Sequence, residues 1–145
     1  VGYPSLQEEK EILQRRRIRQ VEEVTLLPVT SAEEVLEMRR VVEGVHVESD
    51  LEMYIAQLVH ETRTDRRVAV GASPRASLSF LKMARARAAL HNREYILPDD
   101  IKIFAGPILM HRMIMQPEYW MGSRAAQDVV DDVLKRVPVP VMRDR

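Results

Sequence analysis

The stretch V-G-A-S-P-R-A-S-L-S-F-L-K-M-A-R-A-R-A-A-L, residues 70–90, decides how the chain is read. Gly71 permits a sharp turn and a close approach of the loop. Ser73 can act as an N-cap whose hydroxyl accepts from backbone N–H groups, and Pro74 suits the first helical position, where its missing N–H costs nothing. A helix is therefore expected to start here with Arg75 in its first turn. The positive end of the helix dipole disfavours a cation there by about 0.3 kcal/mol or more unless an anion meets it. Two readings follow: Arg75 is a solvated first-turn residue, or it is a receptor for a phosphate oxygen, since guanidinium and helix N-terminus both favour an anion.

Downstream, Asn92 is a C-terminal stop, and Tyr95 and Ile96 return the chain to the core. Pro98-Asp99-Asp100 opens a further helix whose N-cap position, Leu97, has no capping side chain, a deficit of about 1 kcal/mol. Ile101, Phe104 and Ala105 face inward, with a break expected at Gly106-Pro107 and a further turn or two over 108–115. Residues 117–122 read as a loop carrying Trp120. Ser123 is expected to cap a last helix bearing Val129, Val130, Val133 and Leu134, ended by Pro138 and Pro140.

Upstream, Leu51, Tyr54, Ile55, Leu58, Val59 and Thr62 recur at i, i+3, i+4, i+7, i+8 and i+11, which predicts a central packing helix opened by Ser49. A polar loop over 64–67 follows it. Ser31 and Glu34 have capping-box spacing and open a helix whose Val35, Leu36, Met38, Val41 and Val42 read as a core-facing stripe, with Gly44 as a left-handed stop. Val45 and Val47 flank His46 in a short extended link. Ser5 and Glu8 repeat the capping box before a helix expected from Leu6 to about Arg19, acidic early and basic late as the macrodipole prefers. Residues 21–29 form a connector. The expected architecture is an all-α bundle of about five to six helices with little or no sheet.

The 145 residues are 46% hydrophobic and 30% charged, enough for one ordinary core, with 22 basic and 22 acidic side chains, so no global field argues for nucleic acid or an anionic membrane. With no Cys there is no thiolate chemistry, which fits a reducing compartment; no apolar run approaches the roughly 18 residues of a membrane span, and a cytoplasmic location is expected. No G-x-x-x-x-G-K-[ST] loop and no strand ending in an acidic pair is present, so the chain alone should not hydrolyse a nucleotide. His46, His60, His91 and His111 lack metal-helix spacing, and no metal site is expected. Asp99-Asp100 and Asp131-Asp132 read as a helix start and a solvated face, and the eight Met residues as core gap fillers.

The order of motifs resembles the helical lid of MoxR-type AAA+ ATPases over nearly the full length. Gly2-Tyr3-Pro4 before Glu8-Glu9-Lys10-Glu11-Ile12-Leu13-Gln14-Arg15-Arg16 is similar to that family's G-Y-P and acidic helix, and Tyr54-Ile55-Ala56-Gln57-Leu58-Val59-His60-Glu61-Thr62-Arg63 to its Y-I-x-x-L-V-x-x-T-R. Residues 71–76 match G-A-S-P-R-A, residues 92–101 resemble G-R-x-Y-V-x-P-D-D-V with Asn92 for the common Gly and Leu97 for Ser or Thr, and Leu109-Met110-His111-Arg112 match L-x-H-R. Residues 116–122 match no family pattern. The resemblance implies that Arg75 is the sensor-two arginine, reaching from the lid to the γ-phosphate of ATP, with Ser73 and Pro74 aiming it. Gly2, Tyr3 and Pro4 would lie at a hinge near the adenine end. ATP with magnesium, a preceding ATPase core, a homo-oligomeric ring, expected to be a hexamer, and client proteins remodelled in a chaperone-like way are the implied cofactors and partners. Internal salt bridges are expected for Arg63 and Arg112.

One domain is expected over 1–145: a hinge at 1–5 from a core that is not in this sequence, a main bundle at 6–113, and a C-terminal loop and helix at 116–145. Val1 in place of Met fits a piece of a longer protein. Two other functions compete. A helical nucleic-acid-binding domain would use the arginines at 15–19 and 63–67. A helical adaptor would bind partners through a Met-rich face at 110–115.

Overall fold

The computed structural model describes residues 2–22, 25–120, 122 and 124–141. It falls into two units, Val1–Glu34 and Val35–Arg145. In the first, α1 (Leu6–Arg19) starts at the expected capping box. The Ser5 N–H donates to the Glu8 carboxylate at 2.7 Å, and the Glu8 N–H reaches the Ser5 hydroxyl at 3.4 Å. Gln20, with φ of 59°, ends it. No residue of α1 is buried. Ser31 and Glu34 form the second capping box, at 2.8 and 3.1 Å, at the head of α2 (Ala32–Gly44).

The α2 stripe departs from expectation: Val35, Leu36, Met38 and Val41 are exposed, and only Val42 is half-buried. Amphipathic spacing shows that a helix has an apolar face but does not say what covers it. Nor is Gly44 left-handed, since no glycine has a positive φ; it is the last residue of the helix.

In Val35–Arg145 the stripe of α3 (Ser49–Thr64) is buried at all six expected positions. Its N-cap is Glu48 rather than Ser49. α3 packs on α4 (Pro74–Leu90) and on α7 (Ala125–Arg136), and α4 also packs on α5 (Pro98–Lys102) and α6 (Ala105–Leu109). From α4, Ala76, Phe80, Ala84 and Ala88 enter the core at intervals of four, so alanines let the neighbours approach and Phe80 fills the centre. Asn92, with φ of 54°, follows α4 as expected.

Two corrections concern the chain after α5. The break falls at Ile103-Phe104, and Gly106 and Pro107 lie within the first turn of α6, where proline removes no helical hydrogen bond. The helical line then stops at a 3-10 turn, Met110–Arg112, rather than running to Met115. Ile114–Met115 is a strand, β2, antiparallel to β1 (Val68–Val70), and the Gln116 N–H extends the ladder to the Arg67 carbonyl at 2.8 Å. Three and two residues were too few for an alternating pattern to stand out. The link at His46 pairs with Tyr95, the His46 N–H donating to the Glu94 carbonyl at 2.7 Å and the Ile96 N–H to the His46 carbonyl at 3.2 Å. Trp120 is exposed, its indole N–H donating to the Met115 carbonyl at 2.8 Å. α7 buries Val129, Val130 and Val133; the Ser123 cap lies outside the described residues.

Candidate functional site

The start of α4 is built from two sequence segments. Ser73 is the N-cap in extended conformation, φ −80° and ψ 168°, with Pro74 at the first helical position. The expected side-chain cap is not formed: the Ala76 N–H is satisfied by the Ser73 carbonyl at 2.8 Å, so the hydroxyl contributes no bond to the helix. Arg75 is exposed. Among the described residues of Val35–Arg145, its guanidinium has no carboxylate within salt-bridge distance and no hydrogen-bond acceptor; only its carbonyl is used, accepting from the Ser79 hydroxyl at 2.9 Å.

Behind this turn lies the C-terminal end of α3. The buried Thr62 hydroxyl donates to the Val59 carbonyl at 2.7 Å and accepts from the Ala72 N–H at 3.0 Å. Arg63 Nε donates to the Ala72 carbonyl at 2.8 Å. Both backbone polar groups of the fully buried Ala72 are therefore satisfied by consecutive side chains of α3, where neither a helix nor a ladder could serve them. Gly71 is needed for space rather than for its φ: a Cβ there would lie 2.6 Å from Arg63 Cγ and 2.7 Å from Arg63 Cα. The Thr-Arg of one motif and the Gly-Ala of the next thus form one assembly.

Arg63 accordingly bonds a carbonyl rather than a carboxylate. Arg112 does likewise, donating to the Ile108 carbonyl at 2.8 Å and the Ser79 hydroxyl at 3.2 Å, so the salt bridges expected for both give way to contacts that fix backbone. Ser79 lies one turn beyond Arg75.

Several cations of this unit are paired internally, whereas Arg39, Arg66, Lys82 and Arg124 are exposed like Arg75. Asp100, nearly fully buried, accepts from Arg93 twice at 2.7 Å, from Arg87 Nε at 3.0 Å and from the Leu97 N–H at 2.8 Å. Burial pushes its carboxyl up, but Arg93, the Leu97 amide and Arg87 together hold it below the usual range. The bond from the Leu97 N–H is the reciprocal half of a capping box, while Leu97 supplies no side-chain cap to the helix. Asp65, also buried, forms a two-pronged pair with Arg67 at 2.9 Å and accepts from Arg136 at 3.1 Å; chiefly through the Arg67 bonds its carboxyl is lowered to about 2. Arg67 also reaches Asp132 at 2.8 Å, joining the loop after α3 to α7. Asp99 and Asp100 lie in the first turn of α5 as expected, and Asp100 is in addition an ion-pair partner; on the other pair Asp131 is exposed, while Asp132 pairs with Arg67 rather than being only solvated.

Arg67 is therefore paired with Asp65 and Asp132 within the fold, which weakens the basic cluster a nucleic-acid site at 63–67 requires, while Arg63 is exposed and uses only its Nε. Of the Met-rich face, Met113 is buried, Met115 half-buried and Met110 exposed, so these side chains do not form one continuous surface. Gly2, Tyr3 and Pro4 lie ahead of α1 and are exposed; nothing stands within 4 Å of where a Gly2 Cβ would be. Among the described residues no three His, Asp or Glu side chains converge to hold a metal ion, and no helix is long and apolar enough to cross a membrane.

The comparisons agree on what this arrangement is. Residues 60–133 match the family model for the AAA lid domain, a span that holds the Thr62-Arg63 pair, the whole of α4, the Asp100 centre and most of α7. The chain is 37% identical over 144 residues to the uncharacterised protein YeaC of Bacillus subtilis, covering 99% of this chain and 44% of YeaC. It is 30% identical to the chaperone MoxR1 of Mycobacterium tuberculosis, covering 97% of this chain and 39% of MoxR1. A crystal structure of a proposed ATPase from Cytophaga hutchinsonii superposes with a TM-score of 0.84 at 29% identity, over 97% of this chain and 45% of that one. The chain thus spans less than half the length of each of these relatives, and it belongs to the AAA lid domain family, in the form carried by MoxR-type proteins.

Proposed function

We propose that this chain is the lid of a MoxR-type ATPase and that Arg75 is its sensor-two arginine. The observation that carries this is an exposed guanidinium at the start of α4 with no side-chain partner among the described residues of its unit, where backbone N–H groups also favour an anion. A phosphate oxygen fits that pair of donors. ATP, when bound by a core domain, supplies a terminal phosphate with no equivalent in ADP. Arg75 can then bond that group in one nucleotide state and not in the other, so lid position follows nucleotide state. Magnesium and the phosphate cradle belong to the core in this reading, since this sequence has no phosphate-binding loop. Gly2, Tyr3 and Pro4 serve as the hinge near the adenine. Closure of successive lids in a homo-oligomeric ring would couple the ATP cycle to remodelling of client proteins, in keeping with the chaperone named among the relatives.

The test is ATP turnover by the intact protein carrying this chain. Arg75→Ala is expected to slow turnover by about a hundredfold and Arg75→Lys, which keeps charge but loses the planar fork, by about tenfold. Wild-type turnover in both variants removes the role. Salt-sensitive DNA affinity in the chain, falling steeply with ionic strength, would instead support the nucleic-acid function.

A further inference from the structure

The side-chain hydrogen bonds of Thr62 and Arg63 go to Val59 and Ala72 and not to Ser73, Pro74 or Arg75, although Arg63 lines a surface cavity together with Pro74. Between them the two residues satisfy both polar groups of Ala72, the residue that leads into Ser73, Pro74 and Arg75. The segment between β1 and α4 is only Gly71-Ala72-Ser73. It has no regular backbone partners of its own. Its direction is set by three constraints from α3: the Thr62 hydroxyl, held in orientation by the Val59 carbonyl at 2.7 Å; the Arg63 Nε donor; and the Arg63 backbone, which leaves no room for a side chain at Gly71.

We propose that Thr62 and Arg63 are positioning residues for Arg75: they fix the turn that sets where α4 starts and therefore where its first-turn guanidinium reaches. This rests on the sensor-two reading of Arg75. The geometry separates the pair from ordinary core residues in one respect. Thr62 and Arg63 bond the N–H and the carbonyl of a single residue, Ala72, three residues from Arg75, while α4 itself is anchored independently through Ala76, Phe80, Ala84 and Ala88. Losing the pair is expected to leave the bundle folded and the reach of Arg75 undefined. A misplacement of about 1 Å at such a contact can cost up to about a hundredfold in rate.

The experiment is a double-mutant cycle on ATP turnover in the intact protein, with Thr62→Val and Arg75→Ala singly and together, and Thr62→Ser as the conservative variant. Thr62→Val is expected to slow turnover by about tenfold in the wild-type background and by less than about twofold once Arg75 is Ala, while Thr62→Ser, which keeps the hydroxyl, stays within about twofold of wild type. Equal slowing by Thr62→Val in both backgrounds overturns the proposal and leaves the sensor reading standing. Turnover unaffected by Arg75→Ala removes the sensor reading and this proposal with it. If Thr62→Val does not fold, Arg63→Met, at an exposed position that keeps its apolar stem, is used in the same cycle with the same expectations.

Discussion

The two ends of α4 treat their arginines oppositely. In its last turn Arg87 points a donor at the buried carboxylate of Asp100, alongside Arg93, and Arg85 two residues earlier meets Glu43 at 2.9 Å. Cations there are favoured by the helix dipole and neutralised by side chains of the same unit. In its first turn Arg75 faces an unfavourable dipole with no carboxylate in reach among the described residues of its unit. The difference separates charges that hold the fold together from a charge whose partner the fold does not supply. It also makes the two ends separable by mutation.

The largest effect is expected at the paired end. Asp100→Asn leaves two guanidiniums sharing a neutral amide and should cost about 3 kcal/mol, read as a lower midpoint in urea unfolding at neutral pH. Next comes acid. The Asp65 carboxyl is lowered from about 3.8 to about 2, so the stability it contributes is complete above pH 4 and lost as the pH falls towards 2. Asp100 is lowered too and adds in the same direction. A loss of about 2 kcal/mol from Asp65 over that interval is expected, and in Asp65→Asn that part of the pH dependence should vanish. Thr62→Val, which leaves the Ala72 amide unsatisfied, should cost about 1–2 kcal/mol. Smallest is Arg75→Ala: its stability change should lie within about 0.5 kcal/mol of zero, since the side chain has no partner among the described residues of its unit and the dipole no longer opposes it. A loss at Arg75 as large as that at Asp100 would erase the comparison.

How much of this was legible in the sequence varies with the physics of each feature. The burial of α3 followed from six positions at helical spacing, because a long periodic stripe has few alternative explanations. Both capping boxes at Ser5 and Ser31 were legible for the same local reason. The stripe of α2 was equally periodic but remains exposed, because periodicity reports a face and not its cover. β1 and β2 escaped because strands of three and two residues carry almost no pattern. At the candidate site, the helix start and the placement of Arg75 could be read locally. The Thr62-Arg63 assembly could not: it joins residues nine and ten apart through backbone groups, which sequence does not display. A hydroxyl ending an otherwise apolar stripe was the available signal. Asp100 gave a similar one, an acid 13 residues after a helix arginine at 87 and 7 after a loop arginine at 93.

The central claim is that Arg75 distinguishes a terminal phosphate from its absence. Its most direct measurement is the ratio of affinities for a non-hydrolysable ATP analogue and for ADP, in the intact protein, with and without Arg75→Ala. The account predicts that the substitution weakens binding of the analogue by about tenfold and leaves that of ADP within about twofold, as expected for one lost charge-assisted bond to the terminal phosphate. An unchanged ratio, or equal weakening of both nucleotides, would contradict it.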